Sequence, residues 1–162
     1  MYKQTPSGIW TYIPEFFSLE EFFPPEQEHL FGVVLGDVPV IWMGIDDRVK
    51  WTADQLRMIY GTAIMNTWHS VRMQSRYGFH RYRGWRSRDC SVGAQFSQHK
   101  MGCAADIVFT GVEADAVRSD ILANPHQEEF QFITFLEMNV SWLHFDCRPH
   151  DKLNAGIIQY AP

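Results

Sequence analysis

Two histidines and one aspartate stand out in this chain by residue type and surroundings. His99 and Asp106 lie in the stretch "SQHKMGCAADIVF", and His144 follows in "VSWLHFDCR". Read as a strand, the second stretch alternates its side chains, so Trp142, His144 and Asp146 share one face while Leu143 and Phe145 share the other. A face of Trp, His and Asp resembles a site wall more than a solubilising surface, which would favour Lys, Glu and Thr. In the first stretch the same alternation sets Asp106 on the polar-facing side of a strand. Gly102 permits a turn that would bring His99 back over that face. Two imidazoles and one carboxylate make a common catalytic zinc set, with three protein ligands and a fourth position open to water. An acidic ligand buried there needs a cation beside it, or its desolvation would be costly. Spacing alone leaves a second reading open: histidines satisfied in core or surface positions, and an aspartate that caps a turn.

The elements that must position these residues can be read from pattern and punctuation. The opening, to about Pro14, is polar and aromatic and reads as an extended arm. "FSLEEFF" reads as a short helix, opened by Ser18 and Glu21 at capping-box spacing and stopped by Pro24-Pro25. Residues 31 to 45 suggest short strands or an irregular apolar segment. "WTADQLRMIYG" is the clearest helix, with Thr52 and Gln55 as a second capping box and Gly61 at its end. "TAIMNTW" reads as a strand, and Ser75 to Gln95, rich in Arg, Gly and Tyr, as a long functional loop. "AADIVF" is a strand, and "TGVEADAVRSDILANP" a helix capped by Thr110 and Glu113 and closed by Asn124-Pro125. "FQFITFLE" and "VSWLHFDCR" form two strands with Met138 and Asn139 near the turn, and "AGIIQYAP" suggests one more short strand. Helices and mostly antiparallel strands in irregular order predict an α+β fold, a small sheet with flanking helices.

The 162 residues fit one domain, here an arm over 1–14 and a single domain over 15–162. A net charge of −5, with Arg81 to Arg88 as the one basic cluster, argues against nucleic acid as the partner. Three cysteines without a CxxC pair give neither a disulfide framework nor a cysteine zinc knuckle, so reduced thiols and synthesis in a cytoplasm are expected. The first residues lack the apolar core of a signal peptide, and no apolar run is long enough to span a bilayer. A role outside the cytoplasm would require another route of delivery.

The stretch "SQHKMGCAADI" followed by "WLHFD" resembles the zinc D-alanyl-D-alanine peptidases. That family covers cell-wall carboxypeptidases, the vancomycin-resistance dipeptidases and several phage lysins, and its fold is shared by the hedgehog signalling domains. The resemblance extends from about residue 13 to 148. "IPEFFSLEEFFPPE" is similar to the opening helix of phage-encoded members, "RVKWTADQLRMIYG" to their next helix, and "ITFLEMNVSWLHFDCR" to their C-terminal hairpin. It implies a hedgehog/DD-peptidase-like fold and zinc held by His99, Asp106 and His144.

The same resemblance implies roles for other residues. The family's acid three positions before the last histidine is Ser141 here, and the frequent histidine two before it is Trp142. The general base implied is instead Glu137, with Asp146 a rival base or, preferably, an acceptor that orients a ligand imidazole. Arg86, in "GWRS", matches the arginine used against the substrate carboxylate, and it could also stabilise charge on the scissile carbonyl. Trp142 and Trp85 are the expected groove walls, Trp142 contacting substrate. His69 and His80 are candidates to reach the site, though structural roles are expected. The function implied is a peptidase acting on peptidoglycan stem peptides, as a phage lysin or virion-associated enzyme working in the virion or host periplasm. The rival expectation is a non-catalytic tail or collar protein that keeps the fold and docks other virion proteins through its arm.

Overall fold

Strand-forming stretches around both histidine motifs meet in one sheet. The computed structural model describes residues 1–162. In chain order its elements are β1 (Tyr2–Gln4), β2 (Trp10–Tyr12), α1 (Leu19–Phe22), β3 (Val34–Leu35), β4 (Val38–Pro39), α2 (Asp47–Tyr60), β5 (Ala63–Ile64) and α3 (Val71–Tyr77). There follow β6 (Ala104–Phe109), α4 (Ala114–Ala123), β7 (Phe135–Glu137), β8 (Leu143–Asp146), α5 (Lys152–Ala155) and β9 (Ile158–Tyr160). The main sheet has the order β5-β6-β8-β7-β9. Its neighbours pair antiparallel except β7 and β9, which run parallel. The architecture is α+β with a small, mostly antiparallel sheet.

Alternation divides the sheet into two chemically different faces. Ala105, Ile107, Leu136, Leu143 and Phe145 are buried on one face. They join a single core with Val49, Ala53 and Leu56 of α2 and Val117 and Ile121 of α4. Burying each large aliphatic or aromatic side chain contributes roughly 1.5–3 kcal/mol. That face is therefore fixed in register, because a slip of one residue would turn it outward. The opposite face receives Asp106, His144 and Glu137, and is the face left for chemistry.

Residues 1–14 do not form the extended arm that their polarity suggested. β1 and β2 pair as a hairpin, with Tyr2 opposite Tyr12, and Gly8 takes a φ of +87° in the connection. The hairpin is anchored on α2. The Tyr12 hydroxyl donates to Asp54 at 2.8 Å, and the backbone N–H groups of Glu15 and Phe16 donate to the same carboxylate at 2.7 and 3.2 Å. A carboxylate buried on a helix thus satisfies the polar groups of a distant segment, a pairing that local pattern does not reveal.

Several boundaries also move. α2 starts at Asp47, capped by Asp46, whose carboxylate accepts from the Arg48 N–H at 2.9 Å. Thr52 lies inside the helix, where its buried hydroxyl has no partner, so the Thr52–Gln55 spacing is not a cap. α4 starts after Glu113 in place of Thr110. The helix α3 occupies the beginning of the stretch read as a loop from Ser75. In α1, by contrast, the expected interaction is present: the Ser18 N–H donates to the Glu21 carboxylate at 3.1 Å.

One buried cation ties α4 to the turn between β7 and β8. Arg118 is 1% exposed. Its guanidinium donates to the carbonyls of Val140 at 2.7 Å and Trp142 at 2.8 Å, and to Asp115 at 2.6 Å. The turn includes Asn139 at a φ of +62°, a left-handed conformation that Asn tolerates better than most residues. No helix is long and apolar enough to cross a membrane.

Candidate metal centre

Strand register alone brings the polar residues into a row. Asp106 on β6 lies opposite His144 on β8. His144 in turn lies opposite Glu137 on β7, and Glu137 opposite Tyr160 on β9. Directly opposed residues point to the same side of a sheet. The row Asp106, His144, Glu137, Tyr160 therefore crosses four adjacent strands on one face.

His99 reaches this row from a 3-10 turn, Gln98–Met101, immediately before β6. Two close approaches position that turn. Gly102 closes it at a φ of +70°, and a Cβ there would lie 2.2 Å from the Gly44 carbonyl oxygen. Gly84 passes so close to α1 that its Cβ would lie 2.1 Å from the Phe22 carbonyl oxygen. The Gly84 carbonyl then sits 2.7 Å from His99 Nδ1. An N–H at Nδ1 donating to that carbonyl leaves the Nε2 lone pair free to bind a metal, the usual way a ligand imidazole is oriented.

The donor atoms converge. His99 Nε2 lies 3.3 Å from His144 Nδ1 and 3.3 Å from Asp106 Oδ1. His144 Nδ1 lies 2.6 Å from the same carboxylate oxygen. Tetrahedral zinc with bonds of about 2.0–2.1 Å needs donor–donor separations of about 3.3–3.4 Å. Two of the three separations meet that requirement, and the third is a hydrogen bond that metal binding would open. His99 and Asp106 are buried and His144 nearly so. The donor set therefore fits a divalent metal ion that accepts nitrogen and oxygen ligands.

Charge balance in the metal-free cluster follows from the same contacts. Burial disfavours the Asp106 carboxylate, but His99 and His144 outweigh that effect and hold its pKa well below the usual carboxylate range. Burial likewise disfavours the His144 imidazolium, but Asp106 and Asp146 outweigh it and raise its pKa to about 9. Arg86 completes the cluster, its Nη2 lying 3.2 Å from Asp106 Oδ2 and its Nε donating to the Tyr82 carbonyl at 2.6 Å.

These shifts set the pH response of the metal-free protein. A raised histidine pKa gives stabilisation that is fully present below the ordinary value of 6.5 and is lost as pH rises through about 9. The lowered Asp106 pKa gives stabilisation present above the ordinary 3.8 and lost as the pH falls through its folded-state value. The Tm of chelator-treated protein should therefore fall between pH 6.5 and 9, and His144→Gln should remove most of that slope. A flat Tm across the interval would contradict the pairing. Metal uptake at neutral pH should release a proton, because a ligand imidazole must be neutral.

The row opens into a cleft of ≈ 530 Å³ that Arg86, Glu137, Trp142 and Arg148 help to line. Glu137 is half-buried and its carboxylate makes no hydrogen bond to the protein. Trp142 stands at the wall, with its indole N–H buried and unpartnered. Asp146 is fully buried and held by Arg148, whose Nε lies 2.9 and 3.0 Å from its two oxygens. It lies 3.8 Å from His144 Nε2, a placement for orienting the ring and not for taking a proton from solvent-borne water.

Other candidates lie elsewhere. Trp85 packs against Phe23 in the core, its ring 5.9 Å away, and does not line the cleft. His69 is exposed, and His80 Nε2 lies 2.9 Å from the Tyr77 carbonyl; neither borders the cleft. Arg81 pairs with Glu26 at 3.3 Å. Among the cleft residues that sequence reading missed are Phe135, Arg148 and Tyr160. Alternation from His144 and Glu137 points to the first two, Arg148 lying four beyond His144 and Phe135 two before Glu137. Tyr160 depends on the parallel β7–β9 pairing, which local pattern does not disclose.

No protein-family model matches the chain, and neither a curated protein nor a solved structure is significantly similar to it.

Proposed function

We propose that the protein is a zinc-dependent peptidase of the hedgehog/DD-peptidase type that cleaves peptidoglycan stem peptides. The observation that carries this reading is the row of Asp106, His144 and Glu137 on three adjacent strands, with His99 closing over it. It joins a metal-fitting donor set to an unengaged carboxylate in one cleft. His99, Asp106 and His144 would hold the ion. When bound, zinc supplies a Lewis acid that acidifies water and polarises a carbonyl oxygen.

The chain's own residues account for the rest. Glu137 accepts the proton of the attacking water and returns it to the leaving amine. Asp146, clamped by Arg148, holds the His144 ring in place. Arg86 already faces one carboxylate, that of Asp106, and its guanidinium edge at the cleft suits a substrate carboxylate or the developing oxyanion. Trp142 and Phe135 give the peptide apolar walls.

The reading is tested by incubating the zinc-loaded protein with purified stem peptides and with intact peptidoglycan. Release of terminal D-alanine, or a new amino terminus within the stem, is expected. Unaltered peptides with zinc bound would overturn it and favour a virion scaffold of the same fold. Exposed Tyr2, Ile9 and Trp10 on the β1–β2 hairpin, 54%, 52% and 59% accessible, support that second reading as a surface for other virion proteins.

A further inference from the structure

Cys103 and Cys147 have no part in the metal centre or in the reaction proposed for it, yet the sheet sets them face to face. Cys103 directly precedes β6 and Cys147 directly follows β8. The register that pairs Ala104 with Asp146 continues through them, and the Cys147 N–H donates to the Cys103 carbonyl at 3.0 Å. Directly opposed residues of an antiparallel pair have Cα atoms about 4.5–5.5 Å apart. A disulfide spans about 4.4–6.8 Å between Cα atoms. Alternation sends both side chains to the face opposite Asp106 and His144, and the two sulfurs lie within 4.8 Å of each other. Both are free thiols.

The two sulfurs differ in a way that orders an exchange reaction. Cys103 is partly exposed, whereas Cys147 is 1% exposed and belongs to the core. The neighbouring Cys147 thiol holds the Cys103 pKa down, and the Arg48 guanidinium acts in the same direction, while the Cys147 thiol itself donates to the Cys103 carbonyl at 3.5 Å. The Cys147 thiol is pushed up by Cys103 and by burial. Asp46 also lies within 4.8 Å of both sulfurs, so the three could be imagined as metal ligands. Its carboxylate is already taken: Arg48 donates to it from Nε at 3.0 Å, Nη2 at 2.7 Å and its backbone N–H at 2.9 Å.

We propose that Cys103 and Cys147 form a reversible cross-strand disulfide, closed by exchange with a low-molecular-weight disulfide such as glutathione disulfide. The Cys103 thiolate attacks one sulfur of the small disulfide, whose S–S bond breaks and releases one thiolate. The Cys147 thiol then gives up its proton and its sulfur attacks Cys103 Sγ, expelling the second small thiolate. The protein dithiol is oxidised, the small disulfide is reduced, and the protons leave on the two released thiols. The bond would clamp together the strands that carry Asp106 and His144, each three residues from a cysteine. Reduced thiols expected of a cytoplasmic protein would thus become a cross-link once the chain meets an oxidising compartment.

The test uses the full folded chain carrying Cys90→Ala, which leaves only this pair. After incubation with glutathione disulfide, both thiols should be lost together, with the mass lowered by two hydrogens and no glutathione retained. Peptide mapping without reductant should join the segments around Cys103 and Cys147. The Tm should stand about 5–10 °C above that of the reduced form. In Cys147→Ala with Cys90→Ala, glutathione should instead remain on Cys103. A stable glutathione adduct in the chain that keeps both cysteines, or two thiols still free after prolonged incubation, would overturn the proposal. So would a metal ion that protects both thiols and stays bound in a His99→Ala background. None of these readouts depends on peptidase activity, so the proposal and the proposed function can fail separately.

Discussion

Glu137→Gln is expected to lower stem-peptide cleavage by about 10²–10⁴-fold, the range general-base catalysis contributes, and to leave the metal content unchanged. The substitution keeps the shape of the side chain and removes its capacity to take a proton. Glu137 is suited to such a test because nothing in the protein competes for its carboxylate. It stands directly across from His144 in the β7–β8 pair and lines the same cleft. Asp146, the alternative base, is buried and bound by Arg148, so Asp146→Asn should act differently. It should loosen the His144 ring, weakening metal affinity by about 10–100-fold as changes to such supporting groups do. Comparing kcat at saturating zinc separates the two residues. Equal cleavage by Glu137→Gln and the unaltered protein would remove Glu137 from the mechanism.

The second large effect is structural. Arg118→Met is expected to destabilise the fold by about 2–5 kcal/mol, as leaving two carbonyls without their donor does at about 1–3 kcal/mol each. For a chain of this size that corresponds to a Tm lower by roughly 10 °C. The guanidinium satisfies the carbonyls of both Val140 and Trp142. Its removal leaves two carbonyl groups without their partner beneath a turn that already includes a left-handed Asn139. The loss should come from the two carbonyls held by the buried guanidinium and not from Asp115, whose side chain is 82% exposed. Asp115→Asn should therefore shift the Tm little, since ion pairs reaching solvent contribute at most about 1 kcal/mol. A small effect of Arg118→Met, measured by thermal unfolding, would mean that the turn is held by the strands alone. Because Trp142 precedes β8 immediately, the same variant should also weaken metal binding in whatever fraction remains folded.

The contrast between what the sequence disclosed and what it concealed has a physical pattern. Period-two alternation revealed β6 to the residue and placed Leu143 and Phe145 in the core, because one face of the sheet is buried and the other is not. The same alternation sufficed to set Asp106 and His144 on one face. It could not say that β6 and β8 are neighbours. That pairing is long-range, and it turns two separate motifs into one cluster. The hairpin at residues 2–12 was missed for a similar reason, since its anchor is Asp54, a buried carboxylate in the middle of α2. The cap of α2 was misplaced because Asp46 and Thr52 are both capping residue types, and only tertiary contact decides between them. Cys103 and Cys147 border the ligand motifs in apolar contexts, and nothing in the pattern joined them to each other until the register placed one opposite the other.

Metal content is the most direct measure of the central claim, that His99, Asp106 and His144 form one metal centre. Elemental analysis of the purified protein, loaded with zinc at neutral pH and freed of excess, should find about one zinc per chain. His99→Ala and Asp106→Asn, each checked for folding by circular dichroism, should lose it. Absence of bound zinc from the unaltered protein, or full retention by both folded variants, would contradict the account.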